Sequence, residues 1–307
     1  MIHADQPHLT VAALSHPGET GKNNEDAFSV TAYQIESDRT PSLLAVIADG
    51  IGGHQAGEVA ARLAVDTLVH SLAASSGRQP VKQLRAAVVE AGRVIARASG
   101  ESQDLAGMGS TIAVAWVVGP RLYTANVGDS RIYLFRGGIL RQISTDHTWV
   151  QEALEHNVIT PEEARDHPHA HVLRRHLGGV QEPLPDLRLR LSPDESDARS
   201  AANQGLRLRS GDQILLCSDG LTDMVTDVEL ADILSHQAPT PAVQALVDLA
   251  RAHGGFDNIT VILATVPPGL RGPRTFPLTA AVVGVFLLLV LILAGLAILW
   301  RFGLWPR

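Results

Sequence analysis

The segments SLLAVIADGIGG (Ser42–Gly53) and DQILLCSDGLTD (Asp212–Asp223) share one pattern. In each segment an apolar run ends abruptly at Asp-Gly. An apolar run of this length between polar turns predicts a buried strand. The aspartate that follows, Asp49 or Asp219, then lies at the rim of a hydrophobic core, where burying a charge is costly unless a cation compensates it. The repeated pattern therefore predicts that several acids converge on a shared metal site.

Three aspartates are the predicted metal ligands, because each lies beside a glycine or within a turn. Asp49 and Asp219 each precede a glycine, and Asp257 lies in GGFDNITV. Gly50 also offers its backbone carbonyl oxygen. Oxygen ligands are typical of Mg²⁺ or Mn²⁺, whereas Zn²⁺ prefers His or Cys. A single Asp-Gly is more often an ordinary turn, but two that directly follow apolar runs favour metal-dependent hydrolysis.

The overall composition narrows the class of protein. With 307 residues, 45% of them hydrophobic, the chain can bury one large core or two modest ones. The formal charge is −7, and no basic stripe is interleaved with aromatic residues, which argues against nucleic acid as a partner. The single cysteine, Cys217, excludes an internal disulfide and is typical of a reducing compartment.

Hydrophobic periodicity and turn residues predict mixed α and β structure with mainly antiparallel sheets. The expected helices are Gln55–Leu72, Val81–Ala98 and two that begin at Thr160 and Thr240. The expected strands are Leu9–Leu14, Leu43–Ala48, Ser110–Val118, Arg121–Val127, Arg131–Arg136 and Asn258–Val266. A polar insert, Ser192–Gly205, is predicted to be a mobile loop.

The C-terminal part of the chain has the composition of a membrane anchor. A Pro/Gly linker at residues 267–277 leads into residues 278–300, about 23 residues without a charge, which is enough to cross a bilayer. A short tail, residues 301–307, follows. Arginine counts on the two sides tie, so the positive-inside rule does not orient the span. The N-terminus lacks the basic start and apolar core of a signal peptide. We therefore expect a single-pass cell-membrane protein with residues 1–266 in the cytoplasm.

Six motifs occur along the chain in an order that is similar to one enzyme family. They are NNEDAF (Asn23–Phe28), ADGIGGHQAGEVA (Ala48–Ala60), GSTIAVAWV with ANVGDSR (Gly109–Arg131), STDHTWVQEAL (Ser144–Leu154), SDGLTD (Ser218–Asp223) and GGFDNITVIL (Gly254–Leu263). From about Leu9 to Val266 the chain resembles the bacterial metal-dependent serine/threonine protein phosphatases of type 2C. Six motifs in order make this resemblance specific, whereas one Asp-Gly is weak.

The resemblance implies a fold, an activity and cofactors. The fold is α+β, an α-β-β-α sandwich of two mainly antiparallel sheets flanked by helices, with a flap at about residues 147–179. The activity is hydrolysis of phosphoserine and phosphothreonine in proteins by in-line attack of a water that bridges two Mn²⁺ or Mg²⁺ ions. The implied partners are phosphorylated proteins, together with a cognate Ser/Thr kinase.

The resemblance also implies roles for individual residues of this chain. They are Asp49 as the bridging carboxylate, Gly50 as a backbone ligand, Asp219 and Asp257 as the remaining acids, Glu25 and Asp26 as acids that bind metal or orient its water, and Asp129 as a ligand of a third metal. His54 matches the residue that protonates the leaving alcohol; on its own it is a solvated histidine at a helix start. Chemically, His titrates near neutrality and is suited to this role.

The chain departs from the family pattern at one position. The family usually has a phosphate-clamping Arg where this chain has Gly21. Lys22 next to it offers a point charge but not a bidentate fork. The pair Arg174-Arg175 is an alternative source of charge, although a solvated surface is the favoured interpretation. Loss of a charged hydrogen bond costs roughly 1.5–3 kcal/mol, so we expect weaker substrate binding rather than an inactive enzyme.

Three interpretations compete at this point. The first is a membrane-anchored protein phosphatase. The second is a catalytically weak or inactive membrane-tethered phosphoprotein-binding sensor, which the missing Arg favours and the full acid set opposes. The third, a metal-dependent nuclease, does not fit the lack of basic surface. Within the flap, HPHAH (His167–His171) is expected to be a polar loop rather than a metal site, because no Cys or acid cluster accompanies it in the sequence.

Overall fold

The computed structural model describes residues 1–52, 55–164, 167–179 and 184–268. In these residues the helices are α1 (Gln55–Ala73), α2 (Pro80–Glu101), α3 (Trp149–Glu155), α4 (Pro161–Ala164), α5 (Asp197–Ala202), α6 (Asp219–Thr222), α7 (Asp227–His236) and α8 (Pro239–Ala252). The strands are β1 (Ile2–His3), β2 (Thr10–His16), β3 (Ala27–Gln34), β4 (Pro41–Ala48), β5 (Gly50–Ile51), β6 (Gly109–Ser110), β7 (Ile112–Val118), β8 (Arg121–Val127), β9 (Arg131–Arg136), β10 (Ile139–Gln142), β11 (Leu206–Arg207), β12 (Gln213–Cys217) and β13 (Ile259–Thr265).

Two antiparallel sheets form the centre of the described structure. The first has the strand order β1-β3-β4-β7-β8-β11, and the second has the order β10-β9-β12-β13-β2. Helices α1 and α2 pack on the outer face of the first sheet, and α7 and α8 pack on the outer face of the second. This arrangement confirms the predicted α+β class, with two antiparallel sheets flanked by helices.

Strand β4 shows why its sequence is continuously apolar rather than alternating. Leu44 and Val46 pack against α1 and α2, whereas Leu43 and Ala45 contact residues of the second sheet. Successive side chains of a strand point to opposite faces, so a strand covered on both faces needs apolar residues at every position. The prediction that the run before Asp49 is a buried strand is therefore confirmed.

The polar insert contains a helix where a mobile loop was expected. Ser196 caps α5 by accepting a hydrogen bond from the Arg199 N–H. The Glu195 carboxylate accepts hydrogen bonds from Asn203 Nδ2 at 3.0 Å and from the Leu191 N–H at 2.9 Å. These bonds fold a polar segment back onto itself. The Ser-Asp start is a helix N-terminal signal that the sequence contained.

Several element boundaries also differ from the expectation. The predicted strand Ser110–Val118 is divided, because Gly109–Ser110 pairs with Gly50–Ile51 while β7 begins at Ile112. Helix α8 begins at Pro239 rather than after a Thr240 cap, and its N-cap Ala238 makes no side-chain capping bond. Strand β3 was not predicted, although the alternation of apolar and polar residues from Phe28 to Ala32 is typical of a half-buried strand.

The predicted membrane segment, residues 278–300, lies outside the described residues, as do most of the 267–277 linker and the 301–307 tail. Among the helices that the structure does describe, none combines the length and the apolar character needed to cross a membrane.

Candidate metal centre

The ends of strands from both sheets place acidic residues in one cleft. Asp49 directly follows β4 of the first sheet, and Asp219 follows β12 of the second. The cleft between them has a volume of about 350 Å³. Its lining includes Lys22, Asn23, Glu25, Asp49, Gly50, Thr111, Asp129, His171, Asp219, Asp257 and Asn258. The structure therefore brings together the three aspartates that the sequence predicted, along with Glu25 and Asp129.

The glycines of the two Asp-Gly pairs allow the backbone to approach closely. A Cβ atom at Gly50 would collide with the carbonyl oxygen of Gly57 in α1, and one at Gly220 would collide with the carbonyl oxygen of Asn258. Neither Gly50 nor Gly220 has a positive φ angle. Both positions therefore need glycine because the chain packs against other backbone at these points.

Replacing Gly220 with alanine is expected to destabilise the protein by about 2–3 kcal/mol, because the clash is with backbone that no side-chain rotation relieves. Denaturant unfolding of the Gly220→Ala variant measures this change. Gly100 is a matched control, since it lies in α2 and a Cβ there meets nothing within 4 Å. Gly100→Ala is expected to leave stability unchanged or raise it by about 0.5–1 kcal/mol. Equal effects of the two substitutions would contradict the close-approach explanation.

Asp26 lies behind the cleft and is held by two hydroxyl groups. Its Oδ2 accepts hydrogen bonds from Ser218 Oγ at 2.8 Å and from Thr260 Oγ1 at 2.6 Å. Its Oδ1 is enclosed and has no hydrogen-bond partner among the described residues. Asp26 thus ties the segment before Asp219 to strand β13, which follows Asp257.

Asn258 joins the NNEDAF segment to the loop that carries Asp257. Its Oδ1 accepts from the Glu25 N–H at 2.7 Å, and its Nδ2 donates to the carbonyl oxygens of Pro17 and Asn23, each at 3.1 Å. The side chain of Asn258 is buried, so water does not compete for these hydrogen bonds. Asn258 thus fixes two acidic segments relative to each other, a role that the local sequence does not reveal.

The acids of the cleft raise one another's pKa. Burial, and then the neighbouring Asp219, Asp26 and Asp129, hold the pKa of Asp49 well above its ordinary value. Burial and then Asp257 raise the pKa of Asp219. Burial raises the pKa of Asp26 to about 8, although the Thr260 and Ser218 hydroxyls oppose the shift. Ionised carboxylates this close repel each other, so the cluster is costly without a compensating cation.

The donor set fits a divalent metal ion with a preference for oxygen ligands. Asp219 Oδ1, like Asp26 Oδ1, is enclosed and has no hydrogen-bond partner within the described part of the chain. Buried polar atoms are normally satisfied, so an unpartnered carboxylate oxygen beside other acids marks the place for a cation. Asp49, Asp219 and Asp257 with the Gly50 carbonyl oxygen would hold it, and Asp129 lines the same cleft.

A buried histidine that was given no role holds the turn before Asp129. His147 Nδ1 accepts from the Gly128 N–H at 3.0 Å, and the His147 N–H donates to the Gly128 carbonyl at 2.9 Å. On its other side, His147 Nε2 lies 3.5 Å from Asp186 Oδ2. The His147 carbonyl also accepts from the Arg174 N–H at 2.7 Å. One residue therefore connects Gly128, the residue before Asp129, with Asp186 and with Arg174 of the flap.

Replacing His147 with leucine is expected to lower stability by about 1–3 kcal/mol and to raise the Mn²⁺ concentration for half-maximal binding, because the Gly128 N–H and the Asp186 carboxylate both lose a partner. Unfolding curves and calorimetric Mn²⁺ titration measure the two effects. His147→Asn places an acceptor near the position of Nδ1 and is expected to recover metal affinity in part. If Leu and Asn behave identically, the bond to Gly128 has no positioning role.

The position of the missing arginine is open but has unusual backbone geometry. Gly21 has φ +72° and no atom within 4 Å of a Cβ built on it. A larger side chain fits the space but requires a left-handed backbone. Lys22 lines the acidic cleft. Arg174 forms an exposed ion pair with Glu152 at 2.8 Å, which agrees with the interpretation of this arginine as solvated.

The flap histidines divide into two groups. His167 stacks on Trp149 with 4.6 Å between ring centroids, and His169 packs edge-on against the same indole at 5.2 Å. His171 instead reaches the cleft, where its ring nitrogen lies 3.4 Å from Asp223 Oδ2. Ligand atoms of His171, Asp219 and Asp223 all lie within 4.8 Å of one another. HPHAH thus lies in a loop, as expected, but His171 has acids nearby that come from a distant segment of the chain.

His54, the predicted proton donor, lies outside the described residues.

Glu25 lies against the first turn of α1, where a Cβ at Gly57 would meet the Glu25 carboxylate. A negative side chain is stabilised at a helix N-terminus, which explains why the acid is tolerated here.

The chain is similar to known proteins over most of its length. A family model described as protein phosphatase 2C matches residues 16–252. The chain belongs to the protein phosphatase 2C family. This family member is 37% identical over 258 residues to the serine/threonine protein phosphatase PstP of Mycobacterium tuberculosis, an alignment that covers 84% of this chain and 45% of that protein. It is 32% identical over 267 residues to protein phosphatase PhpP of Streptococcus pneumoniae, which covers 84% of this chain and 98% of that one.

The chain therefore spans less than half the length of PstP and nearly all of PhpP. A crystal structure of the catalytic domain of PstP in complex with two manganese ions matches with a TM-score of 0.68 at 35% identity, and covers 84% of this chain and 97% of that domain. The fold of this family member is thus that of bacterial serine/threonine phosphatases, and one similar structure holds two manganese ions.

Proposed function

We propose that this chain hydrolyses phosphoserine and phosphothreonine in proteins with divalent metal ions. The observation that carries the proposal is the convergence of Asp49, Asp129, Asp219 and Asp257 on one cleft. The enclosed and unpartnered Asp219 Oδ1 supports a cation there. Membership in the protein phosphatase 2C family supports the same reaction.

In the proposed site, Asp49, Asp219, Asp257 and the Gly50 carbonyl oxygen would hold two Mn²⁺ or Mg²⁺ ions. When bound, such ions supply an activated water at neutral pH and neutralise phosphoryl oxygens during in-line attack. Asp26, held by the Ser218 and Thr260 hydroxyls, keeps the strand ends that carry Asp219 and Asp257 in place.

Other residues of the chain contribute charge and protons to the proposed reaction. Lys22 supplies positive charge for the substrate phosphate as a point charge rather than a fork. His54 is proposed to give a proton to the leaving alcohol, which adds about 10²–10⁴-fold. A third metal at Asp129 and Asp219 is proposed as an additional, weaker site.

The test uses the full chain in a nonionic detergent with a phosphothreonine peptide. We expect phosphate release with Mn²⁺, abolished by a chelator and restored when Mn²⁺ is added back. Activity that persists in chelator, or the absence of activity with Mn²⁺, rejects the proposal.

A second candidate function is a phosphoprotein-binding sensor with little or no turnover. The observation that favours it is Gly21 at the place of the phosphate-clamping arginine. The retained acids oppose it, because a binding module has no need of four costly carboxylates in one cleft. Saturable binding of the phosphopeptide without phosphate release, at saturating Mn²⁺, identifies this function.

We also propose that residues 278–300 anchor the protein in the cell membrane with the phosphatase part, residues 1–266, in the cytoplasm. The support is the uncharged apolar sequence of the segment. Its simplest role is to raise the local concentration near phosphoproteins made by a membrane-associated Ser/Thr kinase. A reporter fused to the C-terminus is expected to lie outside the cytoplasm, and a cytoplasmic reporter contradicts this orientation. Exchange of the span for an unrelated one is expected to leave the substrate set unchanged.

A further inference from the structure

A larger cleft opens directly from the metal centre. Its volume is about 950 Å³, and it shares Asp129, His171, Asp219 and Asp257 with the smaller one. One wall comes from the flap and includes Val150 and Leu154 of α3; the opposite wall runs from α6 into α7. We call this second space the flap cleft. Because it adjoins the metal centre, it offers space for the chain next to a phosphorylated residue whose phosphate is at the metal centre.

The flap cleft carries negative charge that the protein itself does not neutralise. Its one arginine, Arg131, already pairs with Asp146 at 2.7 Å. Asp223 lies 3.4 Å from the exposed His171 and forms no ion pair with a Lys or Arg among the described residues. Asp227 accepts a hydrogen bond from the Tyr133 hydroxyl at 3.2 Å and has no ion pair among the described residues. After metal ions neutralise the acids of the metal centre, Asp227 still lacks a matching cation among the described residues.

Exposed apolar side chains lie on the same cleft. Phe256, directly before Asp257, is 65% exposed, and Val228, directly after Asp227, is 79% exposed. Met224 and Leu154 extend this apolar surface into the cleft. Exposed apolar surface beside uncompensated charge is typical of a binding surface that a partner covers.

We propose that the flap cleft binds the substrate segment next to the phosphorylated residue and selects segments that carry Lys or Arg together with an apolar residue. This inference rests on the proposed phosphatase activity and adds a substrate preference to it. The argument for this occupant is charge complementarity, since an acidic cleft attracts a basic segment and opposes an acidic one. The apolar residues then cover Phe256 and Val228.

The first experiment compares phosphothreonine peptides that differ only in their flanking residues. The peptides carry Lys, Gln or Glu at the flanking positions, and each side of the phosphothreonine is varied separately. Full chain in detergent with Mn²⁺ is expected to prefer the Lys peptide over the Glu peptide by about five- to tenfold in kcat/KM on at least one side. The preference for the Lys peptide is expected to shrink as the salt concentration rises from about 0.05 to about 0.5 M, because salt shortens the distance over which charges interact.

The second experiment changes the charge of the cleft at Asp227. This residue is chosen because a metal ion at His171 and Asp223 would already neutralise Asp223. Asp227→Asn is expected to reduce the ratio of Lys to Glu peptide by about two- to fivefold, and Asp227→Lys to reduce it further. Asp227→Asn retains a short polar side chain at the helix start, so its result stands if Asp227→Lys does not fold. The ratio compares two substrates of one enzyme, so a general loss of activity cancels.

The matched control is Asp232→Asn, because Asp232 is an exposed acid on the same helix that lies outside the flap cleft and contacts His236. It is expected to leave the peptide ratio unchanged. If the wild type hydrolyses all peptides equally, or if Asp232→Asn lowers the ratio as much as Asp227→Asn, the inference is wrong while the phosphatase activity stands. A wild type that releases no phosphate from any peptide overturns both.

Discussion

Replacing Asp219 with asparagine is expected to lower kcat/KM for a phosphothreonine peptide by on the order of a thousandfold or more, because the substitution removes a charged metal ligand while keeping the shape of the side chain. Asp219 lies at the junction of the metal centre and the flap cleft. Its Oδ1 has no hydrogen-bond partner in the described part of the chain, which leaves this oxygen available to a cation.

The same substitution is expected to leave the metal-free protein as stable as the wild type or more stable. Burial and then Asp257 raise the pKa of Asp219, which means that its ionised form is costly in the folded protein. Phosphate release and chemical unfolding, both measured on metal-free and Mn²⁺-loaded protein, separate the two effects. Asp66→Asn, at an exposed acid of α1, is the control and is expected to change neither. An Asp219→Asn variant that keeps full activity, or one that is less active only because it is unfolded, contradicts the metal-ligand role.

The stability of the metal-free protein is expected to fall as pH rises from about 5 to 8. Burial raises the pKa of Asp26 to about 8 in the folded protein, whereas an unfolded aspartate titrates near pH 4. Between these values the unfolded chain has lost a proton that the folded chain retains. Stability therefore falls with rising pH, by about 1.4 kcal/mol per pH unit at most for this one group. Asp49 and Asp129, whose pKa values are also raised, act in the same direction.

Urea unfolding of metal-stripped protein at pH 5 and pH 7 is the measurement, with an expected loss of about 2–3 kcal/mol from Asp26 alone. Saturating Mn²⁺ is expected to reduce or reverse the loss, because a cation binds the ionised acids of the folded state only. Asp26→Asn resembles the protonated acid and is expected to flatten the profile. Metal-free stability that is constant or increases across this range shows that Asp26 ionises normally.

The sequence contained the local structure of the site almost completely. The apolar runs predicted β4 and the strand before Asp219, and the Asp-Gly pairs marked where those strands end. Local spacing and composition are sufficient here, because a strand buried on both faces needs an unbroken apolar run. The order of the six motifs then indicated the family, and the family model and the similar solved structure confirm that membership.

The environment of each acid, by contrast, depends on residues far apart in the chain. Nothing near NNEDAF in the sequence shows that Asp26 meets Ser218 and Thr260. The same is true of His171 in the flap and Asp223 after β12, which lie 3.4 Å apart. The local sequence also does not show why position 220 is a glycine, since a Cβ atom there would collide with the backbone of Asn258.

By itself the sequence determined that apolar strands end in acids, that oxygen ligands favour Mg²⁺ or Mn²⁺, and that the chain matches one phosphatase family. Only the tertiary structure decided that the ends of β4 and β12, which belong to different sheets, meet at one edge of the sandwich, and that an acidic, partly apolar cleft extends from that edge beneath the flap. The physical reason is that local patterns report which residues are buried, whereas the pairing of distant strands and the stacking of two sheets fix which charges become neighbours.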